Sequence, residues 1–398
     1  MFRLIYILSQ ILVWNYPLRN AIFPDNPMVH LSANAINDLL WLPPAVLLPL
    51  HLHRLIGRFD GAARVWMRGG LILLVIVLVV DVSLFFRLLF VQIAVFFLLW
   101  GRLLVRDRRL EPQHLFWATA LIAMIAHYQL QLLPKPLRKS HGLTVMSFNM
   151  NTGLSRYDDE RTMLLLKQYL PDVVCLQECQ AGEISRMISA MQEFYVNVLP
   201  PGRWRGTADV LMLSRLPFVE TDNFKLKTEG TPGRIVNHAV IDYGGRRIHL
   251  VNAHLTHSTR FFVQWMKNGF NKADRAQLQR AYEIQQQEAR LFVAYVEALD
   301  GPVIVCGDFN ETPNGAVYRL MRRRFRNAFA RRGWGIGSTY GKWTMQQSLP
   351  PFMQRLAFHY LRIDHIFLSH HFRIIDAQVL KVGAFDHQPQ MAKLVLKK

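Results

Sequence analysis

Hydrophobic and polar positions follow two different patterns along the chain. Residues 1–140 contain long apolar runs with few charges, whereas residues 141–398 alternate short apolar runs with polar segments. Short runs at 143–149, 171–178, 208–218, 235–257 and 302–310 are typical of strands, and Gly244–Gly245 predicts a hairpin turn. Helical periodicity appears at 158–170, where acidic residues come first, and at 273–299. The second part therefore predicts an α/β domain that mixes β hairpins with α crossovers.

The apolar runs of the first part predict membrane insertion. Residues 71–100 exceed the roughly 20 residues that cross a bilayer, and residues 115–133 form a second candidate span. A third at 35–52 is weakened by Asp38 and three prolines, and 4–14 is too short and has no signal-peptide cleavage pattern after it. A buried helical bundle is the alternative, but run length and low charge favour lipid. We expect residues 1–133 to be a membrane region with several transmembrane helices.

Two arginine-rich stretches, at 54–68 and 102–109, indicate the orientation of this region. Both lie in the cytoplasm only if residues 70–100 cross an even number of times, and 115–133 then carries the C-terminal domain outside. A single crossing places them on opposite faces and removes the argument. We expect a multi-pass protein of the bacterial inner-membrane type, with an extracytoplasmic domain at 142–398 joined by a basic, proline-containing linker at 134–141.

Charge and cysteine content narrow the partners only slightly. The net charge of +19 is shared, with 14 Lys and Arg against 6 Asp and Glu in residues 1–140 and 33 against 22 in the remainder. A basic surface suits nucleic acid, acidic lipid headgroups or other phosphates, although a merely solvated surface is an equal alternative. The three cysteines give no disulfide framework, and Cys175 and Cys306 lie in apolar runs that predict buried thiols.

Polar residues with metal- or phosphate-binding side chains recur where the apolar runs end. Around 307–310, Gly, Asp and Asn are ordinary turn formers, so a structural turn explains that segment taken alone. The repetition of the pattern instead favours a site at the mouth of a sheet, where α/β proteins bind ligands. The residues concerned are Asn149, Glu178, His254, Asp308, Asn310, Asp364, Asp386 and His387.

These residue types suit hydrolysis of a phosphate ester. Mg²⁺ prefers oxygen ligands and keeps several waters, so one or two carboxylates hold it, and it polarises a phosphoryl oxygen. An imidazolium stabilises the developing charge or protonates the leaving group. No serine or cysteine with a paired base is apparent in the sequence, which favours direct attack by water.

The ordered motifs SFN, LQE, NAHL, GDFN, RIDHIFLS and FDHQPQ resemble those of the endonuclease/exonuclease/phosphatase superfamily. That group includes pancreatic-type deoxyribonuclease, abasic-site endonucleases, inositol-phosphate 5-phosphatases and neutral sphingomyelinases. The resemblance covers about residues 142–398 and implies a four-layer α/β/β/α sandwich, here preceded by N-terminal transmembrane helices. The two-part layout is similar to membrane-anchored bacterial members, some of them linked to polyprenyl pyrophosphate cleavage.

The resemblance implies a role for each residue. Glu178 matches the main Mg²⁺ ligand, with Mn²⁺ as an alternative cation, Asn149 the polar residue beside it, and Asp386 a metal-side acid. Asp308 matches the acid that orients or deprotonates water, and Asn310 the amide that holds a phosphate oxygen. His254 and His387 match the histidines that face the scissile phosphate, and Asp364 the partner of His387. Asn151 departs from members that have Asp there, which leaves a second metal position open, and AFDH at 384–387 lacks the Ser that many members have before the Asp-His pair.

Three segments are candidates for substrate selection because they place aromatic residues beside basic ones: 258–275, 331–343 and 345–362. Such segments stack bases or lie at a lipid surface, or they simply pack on the domain. We expect a membrane-anchored, Mg²⁺-dependent phosphoester hydrolase acting on a phosphodiester, phosphomonoester or pyrophosphate. A lipid-linked phosphate is favoured, with membrane lipids as partners; the alternatives are a nuclease acting on DNA or RNA and a non-catalytic scaffold.

Overall fold

The computed structural model describes residues 141–150, 158–199, 207–229, 231–258, 271–313, 315–335, 337–342, 361–380 and 385–397, with single positions elsewhere. The chain divides into two compact units, residues 1–132 with 342–360, and residues 133–341 with 361–398. Almost all described residues belong to the second unit, whose fold is given below. The apolar segments 4–14, 35–52, 71–100 and 115–133 lie outside the described residues.

Twelve strands of the described part form two six-stranded sheets. The first sheet has the order β11-β12-β1-β2-β4-β3, with β1 and β2 parallel and the other neighbours antiparallel. Its strands are β1 (Leu143–Asn149), β2 (Val173–Gln180), β3 (Asn197–Leu199), β4 (Thr207–Ser214), β11 (Phe372–Val379) and β12 (Gln390–Leu396).

The second sheet has the order β5-β6-β7-β8-β10-β9, and β7 and β8 are its parallel pair. Its strands are β5 (Phe218–Leu226), β6 (Arg234–Asp242), β7 (Arg247–His254), β8 (Val303–Asp308), β9 (Arg326–Asn327) and β10 (Asp364–Leu368). The predicted hairpin joins β6 to β7, with Gly244 and Gly245 both at positive φ, a conformation that glycine adopts without steric cost.

Helices cover the outer face of each sheet. Leu165 and Leu166 of α1 and Met187 of α2 pack on the first sheet, while Phe292 of α3 and Val317 of α4 pack on the second. A separate apolar cluster fills the space between the sheets and contains both Cys175 and Cys306, buried as expected. The helices are α1 (Asp158–Tyr169), α2 (Ala181–Met191), α3 (Lys272–Glu297), α4 (Ala316–Arg322) and α5 (Ala328–Arg332). The α/β/β/α sandwich is confirmed.

Three amide side chains cross the interior and tie the sheets together. The Gln177 amide donates to Asn252 Oδ1 at 2.7 Å, and Asn252 Nδ2 donates to two carbonyls of the first sheet at 2.9 and 3.0 Å. Asn237 Nδ2 likewise donates to two first-sheet carbonyls at 3.2 and 3.0 Å. Because an unpaired buried amide is costly, these bonds require one relative placement of the two sheets.

The unit's first and last strands meet at one end of the sandwich. Leu143, which begins β1, lies opposite Leu394 near the end of β12. Gly142 approaches the same strand so closely that an added Cβ would lie 2.3 Å from the Leu394 carbonyl oxygen. From there β1 runs to Asn149, at the other end of the sandwich. Six residue steps of about 3.3 Å separate the two ends by roughly 20 Å.

Among the residues that the structure describes, no helix combines the length and the apolar character needed to span a bilayer.

Candidate active site

Five strands deliver polar residues to the end of the sandwich where β1 finishes. In the second sheet, Asp308 lies in register between His254 on β7 and Asp364 on β10. In the first sheet, Asn149 ends β1 and pairs in register with Gln177 of β2. Glu178 is the next residue along β2. Parallel neighbours such as β7 and β8 end at the same edge, which is why their last residues meet.

The segment that leaves β8 is both a turn and part of the site. An added Cβ at Gly307 would lie 2.0 Å from the Ala253 carbonyl oxygen, so the close approach of β7 admits only glycine. Three residues later, the Asn310 backbone N–H donates to Asp308 Oδ1 at 2.8 Å, and Asn310 adopts a left-handed φ of 51°. The bond closes a tight turn that brings both side chains to the same place.

Glu178, Asn149 and Asp308 form the acidic part of the site. Asn149 Nδ2 donates to Glu178 Oε1 at 3.0 Å and to Asp308 Oδ2 at 2.9 Å. Asn149 and Asp308 are almost completely buried, whereas the Glu178 side chain is 36% exposed. Glu178 also has a left-handed φ of 52°, unusual for a strand residue, and such strain is concentrated at functional sites.

His387 is held by a buried carboxylate. Its Nδ1–H donates to Asp364, with 2.9 Å to Oδ2 and 3.2 Å to Oδ1, because a carboxylate can only accept. The other ring nitrogen, Nε2, lies 3.8 Å from Asp308 Oδ2. Burial opposes the charged ring, but the Asp364 charge and hydrogen bond, with the charges of Asp308 and Asp386, raise the pKa of His387 to about 10. The imidazolium is therefore the stable form at neutral pH.

His254 has a second carboxylate partner, Asp209 at the start of β4. His254 Nδ1–H donates to Asp209 Oδ1 at 2.6 Å, and Arg234 Nη1 donates to Asp209 Oδ2 at 3.2 Å. Burial opposes the His254 charge, yet the hydrogen bond and charge of Asp209 raise the pKa of His254. Burial also opposes the Asp209 charge, but His254 and Arg234 together lower the pKa of Asp209.

The surroundings of His254 Nε2 give both protonation states a partner. Nε2 lies 3.6 Å from Glu178 Oε1, which favours a bound proton, and 3.2 Å from Asn310 Nδ2, an amide donor that suits a bare nitrogen. Asn310 Nδ2 also donates to the Leu255 carbonyl at 2.9 Å, which fixes the amide plane. The ring can therefore release or accept a proton at Nε2 without moving.

Asp308 is poised for proton transfer. Burial, and then the charge of Asp364, raise the pKa of Asp308 to about 6, although His387, His254 and the Asn149 hydrogen bond all favour its charged form. A carboxyl group with a pKa near neutrality is suited to accept a proton from water.

The donor set fits a divalent cation. Two groups of three residues each bring one ligand atom per residue to within 4.8 Å of the other ligand atoms of that group. The first group is Glu178, His254 and Asp308, and the second is Asp308, Asp364 and His387. In the second group, the His387 ring and the Asp364 carboxylate are already hydrogen-bonded to each other. Glu178 is the most exposed carboxylate, and Asn149 adds an amide oxygen, so these two are the residues that would hold the cation.

Seven of the eight residues predicted from the sequence come together within this network; they are Asn149, Glu178, His254, Asp308, Asn310, Asp364 and His387. Asp386 is buried beside His387 and helps to raise its pKa, but it belongs to neither ligand group found among the described residues. Asn151 lies outside the described residues.

Two residues of the site were not predicted. Asp209 and Arg234 lie near the beginnings of β4 and β6 and precede the apolar residues of those strands, whereas most of the predicted residues follow an apolar run. β4 runs antiparallel to β2, so its first residues reach the same edge as the last residues of β2. Applying the antiparallel rule to the polar residue before the apolar run 210–213 would have found Asp209.

A two-sheet sandwich with amides, carboxylates and histidines gathered at one edge defines a deoxyribonuclease-like α/β fold. The chain belongs to the endonuclease/exonuclease/phosphatase family, whose model matches residues 146–387. The divalent-metal dependence of this family agrees with the ligand groups described above. A search of curated proteins found no match.

Several solved structures are similar to this chain at low identity. A family member from Bacteroides vulgatus is 18% identical with a TM-score of 0.47, over 65% of this chain and 100% of that one. A mannosyl-6-phosphatase from Bacteroides thetaiotaomicron is 18% identical with a TM-score of 0.46, over 64% and 100%. TDP2 from D. rerio, solved with a single-strand DNA product, is 17% identical with a TM-score of 0.47, over 64% and 100%.

Proposed function

We propose that this protein is a membrane-anchored, Mg²⁺-dependent phosphoester hydrolase in which water attacks the phosphorus directly. The observation that carries the proposal is the position of Asp308, whose Oδ2 lies 3.8 Å from His387 Nε2, 3.9 Å from His254 Nε2 and 2.9 Å from the Asn149 amide. A carboxyl group of near-neutral pKa between two cationic rings suits the activation of water beside an anionic phosphate.

Each side chain has a distinct task in this reaction. Asp308 Oδ2 accepts a proton from the attacking water. The imidazolium of His387, fixed by Asp364, stabilises negative charge on the non-bridging oxygens. His254 carries its transferable proton at Nε2 and can deliver it to the leaving oxygen, while the Asn310 amide orients a phosphate oxygen. Glu178 and Asn149 would hold a divalent cation, which would supply charge neutralisation and polarisation of a phosphoryl oxygen.

The favoured substrate is a lipid-linked phosphate or pyrophosphate. Two sequence features support this choice: the long apolar runs of residues 1–133, which favour anchoring in a bilayer, and the basic charge of the domain, which favours an anionic partner. The apolar runs also lead us to propose a location in the inner-membrane type of bilayer, and the arginine-rich stretches at 54–68 and 102–109 favour a hydrolase domain outside the cytoplasm. A reporter fused after Lys398 tests that orientation, and a cytoplasmic signal would reverse it.

A substrate screen tests the function itself. Purified full-length protein is incubated with polyprenyl pyrophosphate, phosphoinositides, sphingomyelin and DNA, with Mg²⁺, with Mn²⁺ and with excess chelator. We expect metal-dependent phosphate or alcohol release, greatest on a lipid-linked phosphate, and a raised Mg²⁺ requirement in Glu178→Gln. Cleavage of DNA alone would identify a nuclease. Full activity in chelator, or no hydrolysis of any ester, would overturn the proposal, and the second result would leave a scaffold.

A further inference from the structure

One face of α3 carries buried polar side chains where an apolar face would be expected. Gln285 and Glu288 are each 1% exposed and lie one turn apart on a helix that otherwise buries residues such as Phe292 and Val296. Burying such groups is unfavourable unless their hydrogen bonds are made. Their partners explain why the helix keeps them.

Gln285 uses both ends of its amide on the two segments that carry site residues. Its Nε2 donates to the Phe309 carbonyl at 3.1 Å and to the Asn310 carbonyl at 3.2 Å. Its Oε1 accepts from Ser258 Oγ at 2.9 Å, and Ser258 is itself 2% exposed. One side chain thereby joins the turn after β8 to the segment after β7.

The turn that Gln285 holds is the one with unfavourable backbone geometry. Asn310 has a left-handed φ of 51°, a conformation that a residue with a Cβ keeps only when its surroundings enforce it. The Asn310 side chain in turn contacts the Leu255 carbonyl and lies 3.2 Å from His254 Nε2. A shift of the Asn310 backbone would therefore displace its amide relative to His254.

Glu288 reinforces the same segment after β7. Its two carboxylate oxygens accept from the Thr256 backbone N–H and from Thr256 Oγ1, each at 2.8 Å. Thr256 Oγ1 also receives a bond from Arg234 Nε at 3.3 Å, which connects the helix to the Arg234–Asp209–His254 chain. Helix α3 is thus bonded to both sides of the His254–Asn310 contact.

We infer that Gln285 is a positioning residue for the reaction, which sets the placement of the Asn310 amide against His254 and the bound phosphate. This inference rests on the proposed function. On this inference, a helix that covers the outer face of the second sheet helps to set the geometry of the site. Gln285 itself is not proposed to contact the metal or the phosphate. Since an error of about 1 Å in such a group costs up to roughly 10² in rate, the amide network should be visible in turnover.

The neighbouring glutamine provides a matched control. Gln286 is the next residue on the helix, and its Nε2 is buried with no hydrogen-bond partner within the described part of the chain. Gln285→Met and Gln286→Met therefore make the same chemical change at adjacent positions, and only the first removes bonds to the site. Ser258→Ala is a milder third variant, which leaves the two carbonyl bonds of Gln285 in place.

The experiment measures kcat and KM of the full-length chain on a soluble phosphodiester, with circular dichroism to establish the folded fraction. We expect Gln285→Met to lower kcat by about tenfold or more with KM changed by less than about twofold. Ser258→Ala should lower kcat by about fivefold, the scale of one neutral hydrogen bond, and Gln286→Met should leave it unchanged. If Gln285→Met does not fold, the comparison of Ser258→Ala with Gln286→Met decides the question.

Two results would overturn the inference: an unchanged kcat in folded Gln285→Met, or an equal loss in Gln286→Met. Hydrogen exchange separates the inference from the function beneath it. If the wild-type protein hydrolyses no ester, the proposed function fails, and exchange of the backbone amides at 309–311 then decides the positioning role. Faster exchange in Gln285→Met than in Gln286→Met supports it, and equal exchange rejects it.

Discussion

Two histidine–carboxylate pairs meet at Asp308, and they differ in how their charge is balanced. Asp364 is completely buried and both of its oxygens contact His387 Nδ1, whereas Asp209 is 21% exposed and divides its oxygens between His254 and Arg234. Carboxylates alone raise the pKa of His387, to about 10, while at His254 the charge of Arg234 opposes the rise. Because the Asn310 amide also lies beside His254 Nε2, we propose that His387 is a fixed cation and that His254 exchanges its proton.

The difference shows that a histidine paired with a carboxylate can have more than one chemical role. His387 Nε2 faces the Asp308 carboxylate, so losing its proton would leave a buried carboxylate without its cation. His254 Nε2 faces both a carboxylate and the Asn310 amide, so either state is accommodated. We expect electrostatic stabilisation from His387 and proton delivery from His254, and the following experiments test that division.

The largest effect is expected at the residue that both pairs share. Asp308→Asn removes the proton acceptor and the charge that both rings face, and should lower kcat by about 10³, within the usual range for a general base. Steady-state kinetics on a soluble diester measures it. Asp172→Asn is the matched control, because Asp172 bonds Thr144 and Arg215 at the far end of the sandwich. Similar rates for both variants would remove Asp308 from the mechanism.

A double-mutant cycle tests whether His387 and Asp364 act as one unit. His387→Ala and Asp364→Asn should each slow turnover, the first by roughly 10² or more. The double variant should be only slightly slower than His387→Ala, because removing the partner of an absent ring costs little more. Circular dichroism establishes that each variant is folded. Losses that multiply would show that the two residues act independently.

A smaller effect is expected from the second pair. Asp209→Asn should lower kcat by about tenfold, which is a smaller loss than that of Asp364→Asn. The reason is that Glu178 also lies near His254 Nε2, so Asp209 is not the sole carboxylate that stabilises the His254 charge. Kinetics of the two asparagine variants under identical conditions measures the ratio. An equal or greater loss in Asp209→Asn would contradict the proposed division between the pairs.

The smallest expected effect is a change in the melting temperature with pH. The folded pKa of His387, about 10, lies above its ordinary value of 6.5, so the pair contributes stability that is fully present below pH 6.5 and lost as pH rises through about 10. The difference in Tm between wild type and His387→Gln should therefore shift by several degrees across that window. Thermal denaturation at pH 6, 8 and 10 measures the trend.

A histidine with the opposite shift is the control for that trend. Burial and neighbouring positive charges lower the pKa of His371, so His371→Gln should show no comparable loss of relative stability above pH 7. A Tm difference for His387→Gln that is independent of pH would mean that the ring is not held as a cation.

Strand ends and helix periodicity were readable in the sequence because they are local. The helix predicted at 158–170 is observed as Asp158–Tyr169, and that at 273–299 as Lys272–Glu297. The edge strand β5 was not predicted beyond its first residue, Phe218, since most of its residues are exposed and show no apolar alternation. Asn149, Glu178, His254 and Asp308 also have a local signal, a polar side chain that follows a buried run, whereas Asp364 begins β10 and His387 lies between β11 and β12.

The remaining parts of the site depend on contacts between distant segments. Asp209 matters because β4 is antiparallel to β2, and Gln285 matters because α3 packs against two turns. Gln285 stands in a run of three glutamines, and no property of that run distinguishes the first from the second. Gln285 makes three hydrogen bonds, whereas Gln286 Nε2 makes none among the described residues. This difference depends on which side of α3 faces the two turns, and that follows from the packing of the helix.

The pairing of the unit's first and last strands has a consequence for how such a module can be joined to others. Because Leu143 and Leu394 are neighbours, while Asn149 and the other predicted site residues lie roughly 20 Å away at the other end of β1, the start of β1 and the end of β12 are both remote from the chemistry. Fusions, tags and new neighbouring sequences can be added there without touching a single site residue. This end of the sandwich is therefore the place where sequence can be changed at least risk to the reaction.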